Sequence, residues 1–197
     1  MSDEMNKHIL CSPSVFKIPH YNPEPNLVSL MMPFSNEFDK VRDTIKATAE
    51  SLSLDCKRVD DIWDDSTIIQ DIFNLIYKSS IVVCDFTGKN PNVFYEAGIA
   101  HLLGRKVIII TQNIDDVPSD LKHHRCLIYL PNHEGLRDLE NKLRERMKTL
   151  KGPVRDYVSI SRDDATEIVI TKRWHNPQCK NSITPPLRCE STETIKF

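Results

Sequence analysis

Short apolar runs alternate along this chain with longer stretches whose apolar residues recur every three or four positions. The run Leu27 to Met32, almost wholly apolar and followed by Pro33 and Phe34, has the composition of a parallel strand buried on both faces. Beyond it Phe38, Val41, Ile45, Ala49 and Leu52 fall at helical spacing, with Ser35 or Asn36 as the expected N-cap. Glu37 and Asp39 stand in the first turn, where acids favour the helix dipole. Cys56 to Val59 predicts a short second strand, and Ser66 is expected to cap a helix carrying Ile68, Ile69, Ile72, Phe73, Leu75 and Ile76.

Ile81 to Cys84, Val107 to Ile110 and Cys126 to Leu130 predict the third, fourth and fifth strands. A helix from Asn92 to Leu103, stopped by Gly104, separates the first two of these. A last helix runs from about His133 to Leu150, with Leu136, Leu139, Leu143, Met147 and Leu150 as its apolar side. Strands and helices that alternate through such short connections predict an α/β fold, a mostly parallel sheet with helices on both faces. The preferred topology is flavodoxin-like and doubly wound, with five strands in the order 2-1-3-4-5.

Residues 1–26, with Pro13, Pro19, Pro23 and Pro25, read as an N-terminal arm lying along the domain or as a loose leader, and residues 27–151 as the main domain. Gly152 and Pro153 end that domain. Within 152–197, Tyr157 to Ser161 and Glu167 to Thr171 predict a small β-hairpin, and the polar stretch from Asn176 reads as a tail or a strap used in a subunit contact.

Composition narrows the setting. The 197 residues, 40% hydrophobic and 27% charged, suit one main domain. A net charge of -2 supplies no positive field toward nucleic acid or an anionic membrane, so neither is an expected partner. Six cysteines without a CxxC pair fit a reduced, cytoplasmic chain. The first residues lack a basic start with an apolar core, and no apolar run approaches the ~20 residues that span a bilayer.

The stretch GKNPNVFYEAG, Gly88 to Gly98, concentrates the candidate chemistry. In an open sheet of this kind ligands bind beyond the carboxyl ends of the strands, where the strand order reverses. Gly88 permits a tight turn beside a ligand, and the helix that follows aims free N–H groups and its positive dipole end at the crevice. Glu96 either shares the crevice face with Asn92, Ala100 and Leu103, or faces solvent on a helix buried through Val93, Ala97, Ala100 and Leu103. A charge held against the sheet without a partner is costly, which favours use over packing, and Glu96 is expected to be ionised and nucleophilic at neutral pH.

Val82 to Asp85, Gly88 to Ala100 and Gly104 to Ile108 together resemble the central signature of the nucleoside 2-deoxyribosyltransferase superfamily. The likeness is to bacterial TIR-like, deoxyribosyltransferase-like proteins that carry NPNVxYExGxAxxxGK, and it extends to Met32-Pro33-Phe34 and to Ile69-Gln70-Asp71-Ile72. The resemblance implies that Glu96 attacks the anomeric carbon of the sugar and expels the base, as retaining glycosidases trap a glycosyl ester. By the same resemblance Asp71 is the acid beside the leaving base, and Pro33, Phe34, Gly88, Asn90, Asn92 and Tyr95 belong to the substrate site, Tyr95 by packing. Asp85 either lines the sugar pocket or caps the following loop. The transferases usually carry aspartate where this chain has Asn90, which leaves deoxyribose, ribose, a nucleotide or NAD open as the substrate.

The resemblance also implies a homo-oligomer that completes its sites across a subunit interface, no metal and no cofactor, and, in bacteria, an anti-phage effector that depletes nucleotides or NAD. The alternative is a non-catalytic nucleotide-binding sensor on the same fold. Other readings are weaker. Pro33, Phe34 and Ser35 stand where a receiver domain needs an acidic pair for magnesium, and GxGxxG and GxxxxGK[ST] are both absent. His175, Cys179 and Cys189 match no zinc spacing and read as tail residues. Lys122, His123, His124 and Arg125 form a short basic patch, read as a solvated turn.

Overall fold

The computed structural model describes residues 15–17, 19, 23–59 and 68–151, and the backbone of 158–162, 167–174 and 189–196. The expected cap Ser66, the domain-ending Gly152 and Pro153, and His175 and Cys179 lie outside the described residues. Two compact units divide the chain, one of them Pro13–Pro153.

In that unit five parallel strands, β1 (Glu24–Met31), β2 (Asp55–Lys57), β3 (Ser79–Asp85), β4 (Lys106–Thr111) and β5 (Cys126–Ile128), lie in the order β2-β1-β3-β4-β5. This is the flavodoxin-like order. Helices α1 (Asp39–Ser51), α2 (Ile68–Lys78), α3 (Pro91–Leu102) and α4 (His133–Leu150) cover it.

Strand alternation sends Val28 and Leu30 into one apolar layer with Val41 and Ile45 of α1 and Leu139 and Leu143 of α4. The opposite layer joins Leu27, Met31 and Val82 to Phe73 and Ile76 of α2 and Val93, Ala97 and Ala100 of α3. Each of these Val, Leu, Ile, Met and Phe side chains, fully buried, contributes roughly 1.5–3 kcal/mol of transfer free energy. At the end of α3, Gly104 takes φ +65, and the Arg105 N–H donates to the Ala100 carbonyl, so the predicted stop is a left-handed helix end.

Several boundaries differ from the sequence reading. A single 3₁₀ turn, Asn36–Phe38, precedes α1, and Ser35 makes no side-chain cap. β1 begins at Glu24, three residues earlier than the predicted strand, and residues 15–17 lie against α2. There the Phe16 ring stacks on Phe73 with centroids 4.5 Å apart. Lys17 N–H donates to Gln70 Oε1 and Gln70 Nε2 donates back to the Lys17 carbonyl, each over 2.9 Å.

The second unit contains an antiparallel sheet, β6 (Val158–Arg162), β7 (Glu167–Trp174) and β8 (Cys189–Lys196), in that order. The hairpin is therefore joined by a third strand from the stretch read as tail, where Cys189 pairs with Trp174 and Lys196 with Glu167.

Candidate active site

A cavity of about 310 Å³ opens beyond the carboxyl end of β1, between the starts of α2 and α3. Met32 and Phe34 follow β1 into its wall, Ile68, Ile69 and Ile72 come from the first turns of α2, and Asn90, Asn92, Val93, Tyr95 and Glu96 come from the start of α3. The α3 terminus is built from its own sequence: Pro91 occupies the first helical position, where its missing N–H costs nothing, and Asn90 Oδ1 accepts from Asn92 N–H over 2.9 Å.

Glu96 is 8% exposed and turns into this cavity rather than to solvent. No hydrogen bond or ion pair engages it among the described residues, and burial alone pushes its carboxyl up to about 7. The expectation of a fully ionised group at neutral pH is corrected accordingly: without ligand the carboxyl is divided between its two forms there. A group in that balance ionises as soon as a cationic or electron-poor centre approaches.

Asp85 is fully buried and stands outside the cavity wall. Its Oδ1 accepts from Thr87 N–H at 3.0 Å and from Thr87 Oγ1 at 2.6 Å, so it caps the loop that follows β3. Burial raises its pKa against these hydrogen bonds. Asp71 is also buried, at 5% exposure, with Oδ1 unpartnered among the described residues, yet α2 presents isoleucines to the cavity and not Asp71. Asp71 is therefore not among the residues that line this cavity.

Pro33 is half-buried between the wall residues Met32 and Phe34 without lining the cavity. Gly88 also lies outside it; with φ +74 it donates its N–H to Asp116 Oδ2 over 2.9 Å. Phe34 and Tyr95 line the cavity and remain 60% and 53% exposed at its mouth. The structure thus brings Glu96, Asn90, Asn92, Phe34 and Tyr95 together and leaves Asp71, Asp85, Pro33 and Gly88 outside. Sequence reasoning missed Val59 and the three isoleucines as wall residues, and Tyr129 as the partner of Asp85. The available signal was the lone hydroxyl in the strand-like run Cys126 to Leu130.

The basic patch lies toward the opposite end of α3, where His124 stacks on His101 at 5.0 Å and His123 packs on His124 at 4.1 Å. Burial and the two neighbouring imidazoles lower the His101 pKa. Among the described residues no group of three or more His, Cys, Asp or Glu is placed to hold a metal ion, and no helix is long and apolar enough to cross a membrane.

No protein-family model matches the sequence, and no curated protein does. Solved structures that match the chain include a CMP N-glycosidase of Clostridium botulinum, 16% identical over 59% of this chain and 98% of that one, with a TM-score of 0.46. Another is a 2-desoxiribosyltransferase of Leishmania mexicana, 12% identical, TM-score 0.40, of which the chain spans 66% with 45% of its own length. A third is the rubredoxin oxygen:oxidoreductase of Desulfovibrio gigas, 12% identical, TM-score 0.46, over 66% of this chain and 37% of that one.

Proposed function

We propose that the chain cleaves the N-glycosidic bond of a nucleoside, a nucleotide or NAD, with Glu96 as the nucleophile. The observation that carries this reading is a buried carboxyl group without a hydrogen-bond or ion-pair partner among the described residues, facing a cavity at the switch point of the sheet. Such a group is costly to keep unless a ligand repays it. In the proposed step a Glu96 oxygen bonds to the anomeric carbon as the carbon–nitrogen bond breaks. The bonding pair leaves with the base; a purine or pyrimidine takes up a proton from solvent, whereas the nicotinamide of NAD leaves neutral without one. Water or a second base then displaces the carboxylate and gives up its proton to solvent.

Asn90 and Asn92 supply amide groups to the sugar hydroxyls, and the rings of Phe34 and Tyr95 offer flat apolar surface to the base. The exposed rim formed by Phe34, Ile68 and Tyr95 supports a second copy of the chain closing over the cavity. The TIR-like grouping and the anti-phage, nucleotide-depleting role belong to the same reading through the sequence resemblance.

The test is chromatography of free base after incubation with NAD, ribonucleotides, deoxynucleotides and deoxynucleosides. Wild type is expected to release base from at least one of them, and Glu96→Gln to lose ~100-fold or more, the scale of a removed covalent catalyst. Equal release by the two proteins ends the nucleophile assignment. No release from any substrate, with a raised melting temperature for one ligand, makes the chain a nucleotide-binding sensor instead.

A further inference from the structure

β3 and β4 end side by side. Asp85 pairs with Ile110, and the Phe86 N–H donates to the Ile110 carbonyl over 2.9 Å, so the segments leaving the two strands start as neighbours. The segment after β4 forms a braced 3₁₀ turn, Ile114–Asp116. Its cap Asn113 accepts the Asp115 N–H on Oδ1 and the Asp116 N–H on its carbonyl, each over 3.0 Å. The Thr111 hydroxyl donates to that same carbonyl over 2.9 Å, and Val117, 2% exposed, roots the turn in the core. Asp116 is half-buried there, with Oδ2 on the Gly88 N–H at 2.9 Å.

The loop that Asp116 meets is strained. Gly88 and the next residue, Lys89, both take left-handed backbone, with φ +74 and +57. Glycine does so freely, whereas in lysine the Cβ crowds the following carbonyl. Such a turn persists only where its surroundings hold it. Among the described residues, the bond from Gly88 to Asp116 is the one hydrogen bond that ties Gly88, Lys89 or Asn90 to a segment outside the loop and α3. With a carboxylate as acceptor it is charge-assisted, and so stronger than a neutral pair.

The turn leads straight into the Glu96 cavity. Asn90 follows Lys89, caps α3 and lines the cavity. Its Oδ1 is committed to the Asn92 N–H, and its Nδ2 donates to nothing among the described residues, so Nδ2 is the group left for a ligand. The backbone of residues 88 and 89 sets where that amide stands.

We infer that Asp116 is a positioning residue of the Glu96 cavity: by holding Gly88 it keeps Lys89 left-handed and fixes the Asn90 amide at the start of α3. Its effect on substrate rests on the glycosidic reading of Glu96; its hold on Asn90 stands on the hydrogen bonds alone.

The experiment uses the full chain as wild type, Asp116→Ala, Asp116→Leu, Asp116→Asn and Asp115→Ala. Leucine keeps bulk without an acceptor and gives a second reading should the alanine variant not fold; asparagine keeps an acceptor oxygen without the charge. Asp115→Ala removes the same charge from the same turn, at a side chain 77% exposed, and leaves the bond to Gly88 in place. Exchange of the Asn92 amide hydrogen, followed by NMR, is expected to quicken about tenfold in the alanine and leucine variants, and to stay close to wild type in the other two. For the nucleotide or nucleoside from which wild type releases base fastest, the alanine and leucine variants should raise KM about tenfold and leave kcat within about threefold, the mark of lost uniform binding. Loss of stability alone moves neither constant in protein that is still folded. Asn92 exchange equal to wild type in the alanine and leucine variants, an unchanged KM, or an Asp116→Asn as impaired as Asp116→Ala overturns the assignment. If Asn92 exchange behaves as expected and wild type releases no base from any compound, the hold of Asp116 on Asn90 is upheld and only the reading of Glu96 fails.

Discussion

The Tyr129 hydroxyl donates to Asp85 Oδ2 over 2.7 Å, linking the end of the central strand β3 to the segment that follows β5. Thr87 closes the circuit: its hydroxyl donates to Asp85 Oδ1 and accepts the Gln112 N–H at 3.0 Å, while Gln112 Nε2 reaches Tyr129 at 3.2 Å. Burial raises the pKa of both Asp85 and Tyr129, so each depends on the other's hydrogen bond. This network fixes the loop that leads from β3 to the helix bearing Glu96.

Tyr129→Phe removes one donor and leaves a buried carboxylate oxygen short of a partner. A loss of about 1–3 kcal/mol is expected in urea unfolding. Stability equal to wild type would show that the hydroxyl is not what holds Asp85.

Glu96 sets a pH dependence whose sign is fixed by its raised pKa. The stability attached to the protonated form is fully present below the ordinary value of 4.5 and is lost as pH rises through about 7. Glu96→Gln escapes that loss, so it should melt higher than wild type at pH 8, by at most about 3 kcal/mol, and by less at pH 5. Base release by wild type should instead climb through pH 7 as the nucleophile ionises. Melting curves that keep the same separation at both pH values contradict the burial of this charge.

Asp71→Asn separates two roles for a buried acid. Since Asp71 does not line the cavity, the substitution should slow all leaving bases by the same factor, and it should leave stability within about 1 kcal/mol of wild type. Selective slowing of poor leaving bases would restore Asp71 as their acid.

Gly135 is a packing position. A Cβ there would overlap the carbonyl oxygen, Cα and Cβ of Leu130, in the first turn of α4. Gly135→Ala is expected to cost about 1–3 kcal/mol in thermal or urea unfolding. Gly98→Ala, with open space around its Cβ and a helical site, should by contrast be neutral or stabilising.

The strand order and all four helices of the main unit were legible because apolar runs and helical spacing report burial directly. Where polar atoms are buried that signal fails. β3 starts at Ser79 because the Ser79 hydroxyl donates to the Leu75 carbonyl and the Ser80 hydroxyl to the carbonyls of Pro25 and Leu27, which hydropathy does not register. The face of Glu96 stayed open for another reason: α3 packs against β1, β3, β4 and α2 together, and so broad an apolar surface singles out no direction. β8, with the sequence CESTETIK, has too few apolar residues to announce itself; its pairing with β7 makes it a strand.

The clasp of residues 15–17 on α2 matters for handling the protein. A variant trimmed to the first strand at Glu24 would look conservative on element boundaries, yet it strips the Phe16 ring from Phe73 and both Lys17 backbone bonds from Gln70. The helix so unclasped also carries Ile68, Ile69 and Ile72, so shortening the chain from its front would slacken a wall of the Glu96 cavity without altering one residue inside it.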